Sequence, residues 1–278
     1  MYPAMPENQE ERELEIHPSP AGNARRKMSN NQIPKIIHYC WFGGKQKPAD
    51  VEYCIATWRK VLPDYEIMEW NEENFSVEDA VPYVQEAYSR GKWAFVSDYV
   101  RLSALETHGG IYLDTDVEVF RSLDDFLACQ MFVGFEANDN LATAVIGSMP
   151  GMPVITEFLD SYRDQHFILP DGTADIETTN VVRLTGIMKT HGLRLNGKQQ
   201  QVAGVTVYPQ WYFSPNDVIN IFGKYRKRSY AYHHLNASWY DEKVSKNFLM
   251  RIRRYILGLA RNTVGTQNLY NFRHRKNN

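Results

Sequence analysis

The sequence predicts an α/β fold in which a mainly parallel central sheet is flanked by helices. Apolar, strand-like runs alternate along the chain with stretches of helical periodicity, the pattern that builds such sheets. The first run, "IPKIIHYCWFGG", stops abruptly at Gly43-Gly44, as a buried strand running into a turn does. With 278 residues, 43% of them apolar, the chain can bury a substantial core.

The elements follow in order. The stretch 1–30 is rich in Glu, Pro and Asn and poor in large apolar residues, so it is expected to be a disordered extension, with Met28 a candidate true start. After the first strand, "DVEYCIATWRKVL" has apolar residues at helical spacing and ends at Pro63-Asp64. "YEIMEWN" reads as a short strand. Residues 77–110 read as two helices, the second closed by Gly109-Gly110. "IYLD", "VEVF", "MFVGFE", "TAVIGS" and "GVTVYP" are further strands. "MPVITEFLDSYRDQ" and "TTNVVRLTGIMKTHG" are helices, with Thr178 or Thr179 available to cap the latter.

Composition narrows the function. Basic and acidic residues nearly balance, 31 against 33, so no global field recruits nucleic acid. The three cysteines stand at no metal-binding spacing and are too few for a disulfide scaffold, which favours a reducing, cytoplasmic setting. No apolar run approaches the ~20 residues that span a bilayer, and the N-terminus lacks the apolar segment of a signal peptide.

Chemistry concentrates at "GGIYLDTDVEVF". Residues i and i+2 of a strand share a face, so Asp114 and Asp116 converge on one ion if the strand persists that far. Hard carboxylate oxygens suit Mg²⁺ or Mn²⁺. The competing reading is a solvated turn, where acids also gather. Asp98 and Arg101, three apart amid apolar residues, share one helical face and fit either an interior polar site or a surface ion pair.

Three motifs together, "IPKIIHYCWFGG", "FVSDYVRLSALETHGGIYLDTDVEVF" and "AYHHLNASW", resemble the DXD-containing sugar transferases of glycosyltransferase family 32. That family includes capsule-type bacterial enzymes and relatives of Golgi mannosyl- and galactosyltransferases, and it is related to large glucosylating toxins. The resemblance runs from about Ile33 to Trp239. It implies a GT-A fold over 31–245, a nucleotide-sugar donor (a UDP-hexose or GDP-mannose), Mn²⁺ or Mg²⁺, and retention at the anomeric carbon.

Carried onto this chain, the resemblance places Trp41 under the nucleotide base, Asp98 on donor-sugar hydroxyls and Arg101 beside the sugar and diphosphate. Asp114, Asp116 and His233 become the metal ligands, with His234 the less well matched neighbour. Asn180 meets the donor or acceptor sugar, and Ser238 and Trp239 close over the diphosphate. The implied activity is a retaining hexosyl transfer to a glycan or lipid-linked acceptor, in surface or capsular polysaccharide synthesis, without an enzymatic nucleophile. Two other readings stay open: an aspartate-nucleophile phosphotransferase using Asp114, since "IYLDTDV" also fits that start, and a non-catalytic sugar- or cation-binding module.

The C-terminal stretch 246–278 contains no acidic residue. Phe248, Ile252, Tyr255, Ile256 and Leu259 share one face of a helical wheel, with Arg253, Arg254 and Arg261 opposite. This pattern fits either a helix lying peripherally on an anionic membrane, at its inner face, or one packed on the catalytic domain.

Overall fold

The computed structural model describes residues 32–137, 140–215 and 228–234. Residues 1–31, Ser238, Trp239 and the helix expected over 246–278 lie outside them. The chain forms β1 (Ile36–Cys40), α1 (Ala49–Val61), β2 (Glu66–Trp70), α2 (Pro82–Ser89), α3 (Trp93–His108), β3 (Gly110–Leu113) and β4 (Val117–Val119). It continues through β5 (Met131–Ala137), β6 (Asn140–Ser148), α4 (Pro153–Asp160), α5 (Asn180–Thr190), β7 (Gln200–Val202), β8 (Val205–Tyr208) and β9 (Ala231–His233).

Seven strands form one sheet in the order β2-β1-β3-β6-β5-β8-β7, and β4 pairs with β9 apart from it. Strands β1 and β2, β1 and β3, and β5 and β8 run parallel, whereas β6 lies antiparallel to both β3 and β5, and β7 to β8. The α/β class with helices on the sheet is the one the alternation predicts. Period-2 alternation divides the core into two layers. Ile37, Tyr39, Ile111 and Leu113 pack on one side with Val51, Ile55 and Trp58 of α1. Tyr112, Val133 and Ile146 pack on the other with α2, α3, α4 and α5. Each large apolar side chain so buried stabilises by roughly 1.5–3 kcal/mol.

The junction between α3 and β3 positions the site. Gly109 closes α3 at φ 62°, a conformation that favours glycine. Gly110 follows at φ 104°, and a Cβ there would lie 2.7 Å from the Ile36 carbonyl oxygen and 2.9 Å from His38 Nε2. Glycine therefore lets β3 start tight against β1. The buried His38 ring fastens the junction: its Nε2 lies 2.7 Å from the Gly109 carbonyl oxygen, and Trp70 Nε1 donates to its Nδ1 at 3.1 Å.

Several boundaries differ from the sequence reading. The first strand occupies only the middle of its apolar run, and α4 stops at Asp160 where single turns take over. Thr179 occupies the N-cap position of α5, but its side chain makes no capping bond. Strand β7, polar and partly exposed, has no apolar signature and was not anticipated.

Candidate metal and donor site

Parallel strands β1 and β3 end on the same edge, and the acidic motif begins there. The strand does not persist through it. β3 ends at Leu113, and Asp114-Thr115-Asp116-Val117 forms a turn in which Val117 N donates to Asp114 O at 3.0 Å. Asp114 N is held by Ala144 O at 2.9 Å. The expected strand-face alternation is therefore corrected, because the chain must reverse here to leave the sheet and enter β4. The turn itself brings the two carboxylates together.

Behind the turn lies a buried polar chain. Asp98 and Arg101 of α3 are both buried and pair at 2.9 Å, which makes them an interior site and not a surface ion pair. Arg101 Nη1 also donates to the Thr143 carbonyl oxygen at 2.8 Å and lies 3.1 Å from Asp114 Oδ1. The guanidinium lies over the Tyr112 ring, 4.4 Å from its centroid, and Tyr112 donates its hydroxyl to Asp114 Oδ1 at 3.0 Å. Asn180, the first residue of α5, donates to Asp98 Oδ1 at 2.6 Å. Sequence positions 98, 101, 114 and 180 thus converge.

Burial pushes the Asp98 carboxyl up, to about 7, against the pull of Arg101. Burial would lower Arg101, but the neighbouring charges, Asp114 foremost, hold it above its ordinary range. One guanidinium thus serves two carboxylates in a dry site.

The third corner comes from β9, which pairs antiparallel with β4 and sets His233 opposite Val117. His233 Nε2 lies 3.2 Å from Asp116 Oδ1. Burial alone would lower its pKa, yet the carboxylates of Asp116 and Asp114, with Glu136 adding, hold it at about 9. His234 points elsewhere, with Nε2 3.3 Å from Glu118 Oε2. Among the described residues, Asp114, Asp116 and His233 form a group whose ligand atoms lie within 4.8 Å of one another. Two hard carboxylates and one imidazole fit a divalent cation, and the surplus of carboxylates around them favours one.

Trp41 stands just past β1, half-buried, with Nε1 donating to Lys45 O at 2.6 Å and Lys47 Nζ 5.8 Å from its ring centroid. It lines a cavity of about 610 Å³ together with Asn71, Glu69, Tyr88 and Trp93. Sequence reasoning missed Tyr112, the Thr143 carbonyl and Glu118. Tyr112 was within reach, because it stands two residues before Asp114, near the end of the strand that leads into the turn. A backbone carbonyl leaves no trace in side-chain chemistry, and Glu118 read only as one more acid of the turn.

A protein-family model described as "Glycosyltransferase sugar-binding region containing DXD motif" matches residues 48–133. An uncharacterized glycosyltransferase, L373, of Acanthamoeba polyphaga mimivirus is 32% identical over 131 residues, covering 44% of this chain and 52% of that one. Mannosyl phosphorylinositol ceramide synthase SUR1 of Saccharomyces cerevisiae is 25% identical over 234 residues, covering 77% and 54%. The chain thus spans about half the length of these relatives. Among solved structures, the PaToxG glycosyltransferase is similar at TM-score 0.45 and 18% identity, covering 58% of this chain and 69% of that one. The galactosyltransferase LgtC, in complex with donor and acceptor sugar analogues, is similar at TM-score 0.43 and 14% identity, covering 82% and 96%. The acidic turn and the helix carrying Asp98 and Arg101 both fall within the segment that matches the glycosyltransferase sugar-binding region containing the DXD motif.

Proposed function

We propose that this chain is a retaining, metal-dependent glycosyltransferase of GT-A type. It moves a hexose from a nucleoside-diphosphate sugar to a glycan or lipid-linked acceptor in surface or capsular polysaccharide synthesis. The observation that carries the reading is the convergence of Asp114, Asp116 and His233 beside the buried Asp98–Arg101 pair. A relative named for mannosyl phosphorylinositol ceramide synthesis supports a lipid acceptor and a mannosyl donor.

Asp114, Asp116 and His233 hold Mn²⁺ or Mg²⁺, which when bound supplies Lewis-acid stabilisation to the departing nucleoside diphosphate. The residues of the chain do the positioning. Trp41 offers an indole face to the nucleotide base. Asp98 accepts from the sugar hydroxyls, and Asn180 fixes the orientation of that carboxyl. Arg101 adds fixed positive charge that needs no reorganisation, because Thr143 O and Asp98 already hold its guanidinium. Ser238 and Trp239 are assigned to the diphosphate, and the basic stretch 246–278 to bringing the enzyme to an anionic membrane that carries the acceptor.

The phosphotransferase reading fares worse. Its nucleophile would be Asp114, whose Oδ1 already accepts from Tyr112 and faces Arg101. The decisive experiment is a thermal-shift screen of UDP- and GDP-sugars with and without Mn²⁺, followed by donor turnover. A ligand that binds the folded chain stabilises it by RT ln(1 + [L]/Kd), which raises the midpoint. A midpoint unmoved by every nucleotide-sugar would refute the proposal.

A further inference from the structure

A metal-binding histidine usually donates its second ring nitrogen to an acceptor that fixes the ring. His233 lacks this among the described residues: its Nδ1 is buried and has no hydrogen-bond partner there. The position of the ring therefore rests on the backbone of β9. That strand is three residues long and belongs to a two-stranded sheet, a unit with little stability of its own. Something else has to hold β9 in register.

Helix α1 pins the other strand of the pair. Trp58 Nε1 donates to Val117 O at 2.7 Å, and Val119 N donates to Thr57 Oγ1 at 3.0 Å. Glu118 lies between these two anchors, 5% exposed. Its Oε1 accepts from the Tyr53 hydroxyl of α1 at 2.7 Å, and its Oε2 lies 3.3 Å from Nε2 of His234, the residue next to His233, an ion-pair distance without hydrogen-bond geometry. His234 N in turn donates to Asp116 O at 3.0 Å, and its ring meets Tyr232 edge-on at 4.7 Å. A buried carboxylate of β4 is thus bonded to α1 and stands at ion-pair distance from the residue just past the end of β9.

We propose that Glu118 is a positioning residue: held by Tyr53 and facing His234, it fixes β9 on β4 and thereby sets the reach of His233 to the acidic turn. This rests on the reading of Asp114, Asp116 and His233 as cation ligands. It assigns His234 a clamping role distinct from that of its neighbour. Removing the clamp weakens cation affinity about tenfold, the scale at which support of a metal-bound histidine acts.

The test is an Mn²⁺ titration of the full chain, followed by the electron paramagnetic resonance signal of free Mn²⁺. It compares wild type with Glu118→Leu, His234→Gln, Tyr53→Phe and His233→Ala. Circular dichroism and the metal-free melting midpoint report the fold. The expected result is a dissociation constant raised about tenfold in Glu118→Leu and His234→Gln and less in Tyr53→Phe, with binding lost in His233→Ala. If Glu118→Leu fails to fold, the other two clamp variants carry the comparison. Unchanged affinity in the folded clamp variants overturns the positioning role and leaves the ligand set standing. A loss in His234→Gln as large as in His233→Ala makes His234 a ligand and also overturns it. A wild type that takes up no Mn²⁺ overturns the ligand reading itself.

Discussion

Asn180 donates its side-chain amide to Oδ1 of Asp98 at 2.6 Å, joining the first turn of α5 to the middle of α3 across 82 positions of sequence. The same oxygen takes Arg101 Nη2 at 2.9 Å. A neutral donor and a cation therefore fix one carboxyl from two sides, inside a layer that is otherwise apolar.

Asn180→Ala leaves that buried carboxyl with one partner fewer and is expected to destabilise the fold by about 1–3 kcal/mol, the cost of an unmade buried hydrogen bond. Asn180→Asp should be worse, since two carboxylates then face each other in a dry site. Urea denaturation at neutral pH measures both, and equal stabilities for the two variants would contradict this account.

Asp114 and Asp116 are expected to separate stability from metal dependence. Asp116→Ala removes a proposed ligand and should abolish Mn²⁺-dependent donor binding while barely moving the metal-free melting midpoint. Asp114→Ala should also destabilise the metal-free chain by roughly 3 kcal/mol, because it strips a partner from the buried Arg101 charge. Paired thermal melts with and without Mn²⁺ distinguish the two.

Acid should weaken the fold through His38. Burial, with His108 nearby, pushes its pKa down from 6.5 to about 4. The indole N–H of Trp70 already occupies Nδ1, so a second ring proton has no acceptor. Between pH 6.5 and 4 the unfolded chain binds the proton and the folded chain does not. Stability from this group is thus full above pH 6.5 and lost as pH falls through 4, by roughly 3 kcal/mol. Asp98, pushed up to about 7, gains stability over the same window, so His38 shows as a difference: urea midpoints should fall more, or rise less, for wild type than for His38→Gln as pH drops from 6.5 to 4.

Gly147 of β6 sits where a Cβ would come within 1.9 Å of the Phe132 ring. Phe132 is itself fully buried between Phe126 and Phe213 and has nowhere to retreat. Gly147→Ala should therefore destabilise by about 1–3 kcal/mol through overpacking. A midpoint within a degree of wild type would show that the ring can move.

Much of this was legible from local pattern. Helices α1, α3 and α5 announce themselves by apolar spacing, and α3 by its closing glycines. The Asp98–Arg101 pair was visible as a shared helical face. Its burial was only hinted at by the apolar residues around it, because burial depends on Tyr112 and Thr143 arriving from other strands. Asp114 and Asp116 converge as expected, but through a turn, since a period-2 pattern cannot say where a strand stops. His233 was named from its motif, whereas its distinction from His234 needed the register with β4. Trp41 was placed at a strand end correctly, and its cavity depends on Tyr88 and Trp93, about fifty residues on.

The pairing of β4 with β9 has a kinetic side. Strands β5 and β6 meet across a short connection, and β1 and β2 across a single helix, so both close small loops. The contact between Asp116 and His233 closes one of more than a hundred residues, and a short two-stranded pairing with a few flanking bonds has to offset that loss of chain entropy. The sheet and its helices are therefore expected to condense first. The imidazole joins a nearly finished scaffold, so the gathering of the proposed cation ligands is the last step expected as this chain folds.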